Sequence, residues 1–251
     1  MLTFCIVSFG FISVIRNVTF MKRIRLALVG DFSKKIPTLR ALQEAIDHCR
    51  PFLDFMLEAV WTPTAFLDET TFHENKFHGV LIAPGSPYDN DEAVYNTIRW
   101  ARENDFPLLG FCGGFQYMVI EYARNVLKME TASHEESDPQ GKRLVVSKMS
   151  CSLKGLTEEV RITDRESWLF KVLHTETLTG HFFCSYGVNP KFQYQINKAP
   201  FVFTALSPQG EARAVELKGH RFFNGTLFQP SLDSAPGHPN PLLLDFLWRC
   251  R

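Results

Sequence analysis

Pro107-Leu108-Leu109-Gly110-Phe111-Cys112-Gly113-Gly114-Phe115-Gln116 is the stretch that decides the fold. An apolar run stops at a cysteine and two glycines follow. Apolar residues then recur at helical spacing through Phe115, Met118, Val119, Tyr122 and Val126. The reading is a strand, a sharp turn carrying Cys112, and a helix, the layout of a nucleophile elbow. Glycines let the backbone turn without a Cβ clash. A helix N-terminus aims its free N–H groups at the sulfur and favours the thiolate. The plainer alternative is a small cysteine buried at a strand end. The flanking glycines and the switch from strand to helix favour the reactive reading, but name no substrate.

Outward from this stretch, the first half alternates strands and helices. Residues 23–30 read as a buried strand, and 36–49 as a helix with Leu39, Leu42, Ala45 and Ile46 on one face. Strands follow at 56–61 and 78–83, separated by a polar, loop-like 62–77. A helix faced by Val94, Ile98 and Ala101 runs to about Asn104, capped by Asp89 or Asp91. Short apolar strands alternating with helices predict an α/β fold built on a doubly wound, mostly parallel sheet. Ligands sit beyond the carboxyl ends of such strands, where three turns compete for the place: 30–33, 84–87 and 112–114.

The second half reads differently, with strands at 144–149, 160–162, 182–186, 201–206, 212–217 and 222–228. These predict antiparallel strands added to the sheet. Helices are expected at 166–173 and 242–250. There is no internal repeat or low-complexity linker, so residues 22–251 are expected to form a single domain.

The bulk numbers exclude several classes. The 251 residues carry 27 basic and 27 acidic side chains, a formal net charge of zero. That gives no electrostatic case for nucleic acid or an anionic membrane as partner. Twenty-three phenylalanines suggest a large core. The six cysteines (Cys5, Cys49, Cys112, Cys151, Cys184, Cys250) include no CxxC pair. No metal site, no cofactor and no disulfide framework is therefore expected, and a reducing, cytoplasmic setting fits. Residues 1–21 read as an apolar N-terminal extension. It lacks the basic start of a signal peptide and the length of a spanning helix, and Met21 is the expected native start.

Gly110-Phe111-Cys112-Gly113-Gly114-Phe115-Gln116 resembles the G-x-C-x-G-x-Q motif of class I glutamine amidotransferases. The likeness is closest to the amidotransferase domain of CTP synthases. Ala101-Arg102-Glu103-Asn104, Glu121-Tyr122-Ala123-Arg124-Asn125-Val126-Leu127, Ser133-His134-Glu135, Phe228-Gln229-Pro230-Ser231 and Gly237-His238-Pro239 extend it across residues 22–251. The resemblance implies a flavodoxin-like sheet and a Cys112 that attacks a glutamine carboxamide to form a thioester and release ammonia. The backbone amides of Ser86 and Gly113 would serve the oxyanion. Gln116, Glu135 and Tyr186 would contact a small amide or amino-acid-like ligand. No synthetase domain is present in this stretch, so a synthetase chain is an implied partner.

The departures carry as much information. Where the family has a His-Pro-Glu stretch, this chain has Gln229-Pro230-Ser231. A carboxamide does not titrate near neutral pH, so Gln229 cannot be the general base, and Ser231 supplies no carboxylate. Losing the base in such a triad costs about 10⁴-fold or more. Ser185 stands where the family carries an arginine that grips glutamine, and Ser86 replaces a glycine. His134, His174, His181 and His220 are candidate replacement bases, His181 foremost. His238 suits a turn, and Asp31 suits either the pocket or the turn after the first strand. Three expectations follow: weak, altered or absent glutamine hydrolysis at degenerate positions 229 and 231; an active Cys-dependent amidase for another γ-glutamyl-type amide with a relocated base; or a reactive-thiol or ligand-binding protein.

Overall fold

The structure is a computed structural model describing residues 21–68 and 70–251. Apart from Met21, the expected extension 1–21 lies outside the described residues.

In chain order the elements are β1 (Arg23–Val29), α1 (Pro37–Cys49), β2 (Met56–Thr62), α2 (Thr71–Glu74), β3 (Gly79–Ile82), α3 (Asp91–Glu103), β4 (Leu108–Phe111) and α4 (Gly113–Asn125). There follow β5 (Ala132–His134), β6 (Arg143–Lys148), β7 (Leu156–Ile162), α5 (Trp168–Leu173), β8 (Thr177–Phe182), β9 (Tyr186–Val188) and α6 (Pro190–Ile196). The chain ends with β10 (Phe201–Leu206), β11 (Ala212–Leu217), β12 (Phe223–Thr226) and α7 (Pro241–Arg249).

One nine-stranded sheet runs in the order β2-β1-β3-β4-β12-β11-β10-β7-β8. The five strands from β2 to β12 are mutually parallel, and the remaining pairings are antiparallel. β12 joins the parallel half beside β4, with Thr226 opposite Phe111. Its fully buried residues fit a strand covered on both faces. A smaller sheet, β5-β6-β9, packs against α4. This is the α/β architecture read from the sequence, antiparallel additions included. No helix among the described residues is long and apolar enough to cross a membrane.

Helix α4 is the mechanical centre. Every residue from Gly113 to Ala123 is buried, Glu121 among them. Burying Glu121 requires pairing, and Arg102 supplies it at 2.7 Å. The amphipathic face expected for this helix is thus a full circumference, because β3, β4, β12 and the small sheet enclose it.

Several local expectations change. The stretch 62–77 contains α2 and a 3-10 turn at Thr64–Phe66. Asn90, not Asp89 or Asp91, caps α3, accepting from the Ala93 amide at 3.1 Å. The strand expected at 182–186 is instead the gap between β8 and β9. There the chain leaves one sheet for the other, which is why 183–185 reach the pocket described below. Three elements carried too little signal: β5, three residues inside a polar stretch, β8, whose run is interrupted by Gly180, and α6, whose start is capped by Asn189.

Candidate functional site

Cys112 bridges the end of β4 and the start of α4 with φ 52° and ψ −105°. A non-glycine residue holds such a conformation at a cost of about 1–3 kcal/mol, and only where its surroundings over-determine it. They do so here. The Cys112 amide donates to the Thr226 carbonyl at 2.8 Å, and its own carbonyl accepts from the Gln116 amide at 3.1 Å. The turn is tight because α4 begins directly over β3: a Cβ on Gly114 would lie 2.7 Å from the Ile82 carbonyl oxygen.

The turns at 30–33, 84–87 and 112–114 meet at the carboxyl ends of β1, β3 and β4, as the fold rule requires. They open on a cavity of about 370 Å³ whose chemistry is carried by Ser86, Cys112, Gln116, Cys184, Tyr186 and Gln229. Asp31 borders it, but its carboxylate is already engaged. It accepts from the Thr64 amide and hydroxyl and from the Asp89 amide, all at 2.8–3.0 Å. Asp31 therefore fastens the rim.

The Cys112 sulfur has three polar neighbours, and together they hold its pKa below the usual thiol value. The largest influence is the neighbouring Cys184 thiol. Burial opposes it, and the Gly113 amide and the Gln229 carboxamide add to the lowering. Cys184 responds in the opposite direction, pushed well up by the neighbouring Cys112 side chain, by burial and by the charge on Cys112. Within the pair, ionisation is therefore favoured at Cys112 and the proton is favoured on Cys184. The Gln229 contact is looser than a hydrogen bond: Gln229 is 1% exposed, and neither its Nε2 nor its Oε1 reaches a partner of hydrogen-bond geometry.

Gln116 is fixed at both ends of its carboxamide. Its Nε2 donates to the Tyr186 carbonyl at 2.7 Å. Its Oε1 lies 3.1 Å from Nε2 of His134, whose Nδ1 accepts from the Glu136 amide at 3.1 Å. That assigns the Nε2–H tautomer to His134. Burial drives the pKa of this histidine down to about 4, so it is neutral.

The remaining candidates divide by position. Ser86 borders the cavity and its hydroxyl donates to Glu136 at 2.7 Å. Glu135 does not face the cavity: its carboxylate accepts from the Lys148 amide at 2.6 Å, and Glu136 borders the pocket instead. Both acids lie in the turn that follows β5, and the sequence did not reveal which of them would face the cavity. Ser231 is buried with an unpartnered hydroxyl, outside the cavity lining. His181 pairs with Asp233 at 2.9 Å, its ring outside the lining, although its carbonyl accepts from the Gln229 amide. His174 caps the end of α5. His220 sits before β12, at the opposite end of the sheet from Cys112, against the Ala101 carbonyl. His238 closes a turn with Ala235. Cys184 was missed as a pocket residue. Its only signal was a cysteine inside an otherwise aromatic and hydroxylic stretch.

Among the described residues no group of three or more His, Cys, Asp or Glu side chains could hold a metal ion.

Residues 39–246 match the family model described as Glutamine amidotransferase class-I. The CTP synthase of Sulfolobus acidocaldarius is 30% identical over 237 residues, which cover 90% of this chain and 45% of that protein. The CTP synthase of Methanopyrus kandleri is 32% identical over 231 residues, 87% of this chain and 43% of that one. The chain thus spans less than half the length of these relatives. The glutaminase domain of Trypanosoma brucei CTP synthase, solved with bound acivicin, aligns with a TM-score of 0.80 at 24% identity. The alignment covers 90% of this chain and 93% of that one, a likeness of fold.

Proposed function

This chain belongs to the glutamine amidotransferase class-I family and is related to the CTP synthase glutaminase domain, and from that premise we propose that its pocket keeps the family's nucleophile without its proton relay. Cys112 is a thiolate-bearing ligand site for a small amide or amino-acid-like molecule, and efficient glutamine hydrolysis is absent. One observation carries this reading: the cavity that Cys112 opens on is lined by Cys184 and Gln229 and, among the described residues, by no imidazole.

The chemistry follows from what those groups can do. The Gly113 amide can stabilise an oxyanion, and the Ser86 amide is the second proposed donor. Attack by the Cys112 sulfur on a carboxamide carbon would form the tetrahedral adduct. Expelling ammonia then requires an acid near neutral pKa, and releasing the thioester requires a base for water. Gln229 titrates in neither direction. Cys184, with its pKa pushed well up, surrenders its proton poorly. His134 has both ring nitrogens engaged and stays neutral. His181 is turned to Asp233. The relocated-base reading is left without a candidate among these histidines.

The test is ammonia release from glutamine by the purified chain and by its Cys112→Ser variant. Equal, near-blank rates are expected. Turnover that disappears with Cys112 would overturn the proposal. The five described cysteines are free thiols, which supports the proposed cytoplasmic setting.

A further inference from the structure

Two thiols meet in this pocket. Cys112, at the end of β4, and Cys184, between β8 and β9, line the same cavity, and each is the largest electrostatic influence on the other. They are 7% and 5% exposed, and that exposure is to the cavity. The segment carrying Cys184 is anchored on both sides. The Leu153 amide donates to the Cys184 carbonyl at 2.9 Å, and the hydroxyls of Ser152 and Ser185 lie 2.9 Å apart.

We propose that Cys112 and Cys184 form a redox pair in which a hydroperoxide converts the two thiols into one intramolecular disulfide and closes the nucleophile. In the first step the Cys112 thiolate attacks the peroxide oxygen. The O–O bond breaks, sulfur is oxidised to the sulfenic acid, and hydroxide leaves for hydrogen peroxide, or alkoxide for an organic hydroperoxide. In the second step the Cys184 sulfur attacks the Cys112 sulfur and the S–O bond breaks. The departing hydroxide takes the Cys184 proton and leaves as water.

The electrostatics favour this order. In the reduced pair Cys112 ionises more readily than Cys184, so it attacks first. Two of the three influences that hold the Cys184 proton are the contact with the Cys112 thiolate and the Cys112 charge. Both vanish once Cys112 is a neutral sulfenic acid. The buried guanidinium of Arg213, which lowers the Cys184 pKa, remains. Oxidation of the first sulfur therefore activates the second. The inference does not depend on whether the pocket hydrolyses amides.

The test is to treat the full chain with a few equivalents of hydrogen peroxide, block free thiols, and map the peptides without reduction. A peptide joining Cys112 to Cys184 is expected, with dithiothreitol restoring Cys112 alkylation. In Cys184→Ser a sulfenic acid on Cys112 should persist and be trapped by dimedone. In Cys112→Ser, Cys184 should stay reduced. Sulfinic acid on Cys112 with Cys184 still reduced in the parent chain would overturn the proposal. So would a disulfide from Cys112 to the exposed Cys151, or cross-linking between chains. Ammonia release is not a readout here, so failure of this inference leaves the proposed function standing, and the reverse holds.

Discussion

The carbonyl oxygen of Gly85 lies 1.6 Å from the point where a Cβ on Gly113 would stand. The turn after β3 therefore rests directly on the first residue of α4. The proposed oxyanion donors, the amides of Ser86 and Gly113, are neighbours only because residue 113 has no side chain. Gly113→Ala must drive the two segments apart. The expected result is a loss of roughly 2 kcal/mol or more in urea unfolding and at least a tenfold drop in the rate of Cys112 alkylation near neutral pH. A folded variant with the parent's alkylation rate would show that the contact does not organise the site.

Cys184 is the largest influence lowering the Cys112 pKa, so its removal has a defined sign. Cys184→Ala deletes that influence and disfavours the charged form. The midpoint of Cys112 alkylation rate against pH should lie below the ordinary thiol range of about 8.5 in the parent chain and move upward in the variant. The neutral-pH rate should fall with it. Identical midpoints would remove Cys184 from the account of Cys112 reactivity.

If, as proposed, the pocket lacks a proton relay and for that reason does not hydrolyse glutamine, supplying one should be visible. Gln229→His places an imidazole where a buried carboxamide now faces the sulfur, and Ser231→Glu adds a carboxylate nearby. The double variant should release ammonia from glutamine in a Cys112-dependent way, at least about tenfold above the parent, with the Gln229→His single change weaker because its imidazole lacks an orienting acid. A folded double variant no faster than the parent would point to the substrate grip as the limiting loss, Ser185 in particular.

Much of this was legible in the chain. The run from Leu108 to Phe111, the glycines at 113 and 114 and the alternation before them fixed the parallel half, because fully buried strands and close helix starts demand those residues. The positions of β5, α6 and Cys184 were not legible for one shared reason. Each depends on where the chain crosses between two sheets, a long-range pairing that leaves no local periodicity. Glu135 and Glu136 show the limit at single-residue scale: either acid fits the motif's chemistry, and only the path of the turn after β5 brings Glu136 to the cavity while Glu135 accepts from the Lys148 amide.

His134 ties the site to stability through pH. Its pKa in the folded chain is about 4, against about 6.5 for an exposed histidine. The unfolded chain therefore binds a proton through that interval that the folded chain refuses. The sign follows: the histidine's contribution is complete above about pH 6.5 and is lost as pH falls toward about 4, where it amounts to about 3 kcal/mol. Between about pH 7 and about pH 5 the loss should be about 2 kcal/mol. His134→Gln keeps a donor for the Gln116 carboxamide and cannot take up the proton. Urea unfolding of both chains across that range should show a shallower acid loss in the variant, the shared carboxylates cancelling in the difference. Parallel curves would mean that the imidazole finds a way to be charged in place, and the pinned, neutral ring holding Gln116 would have to be abandoned.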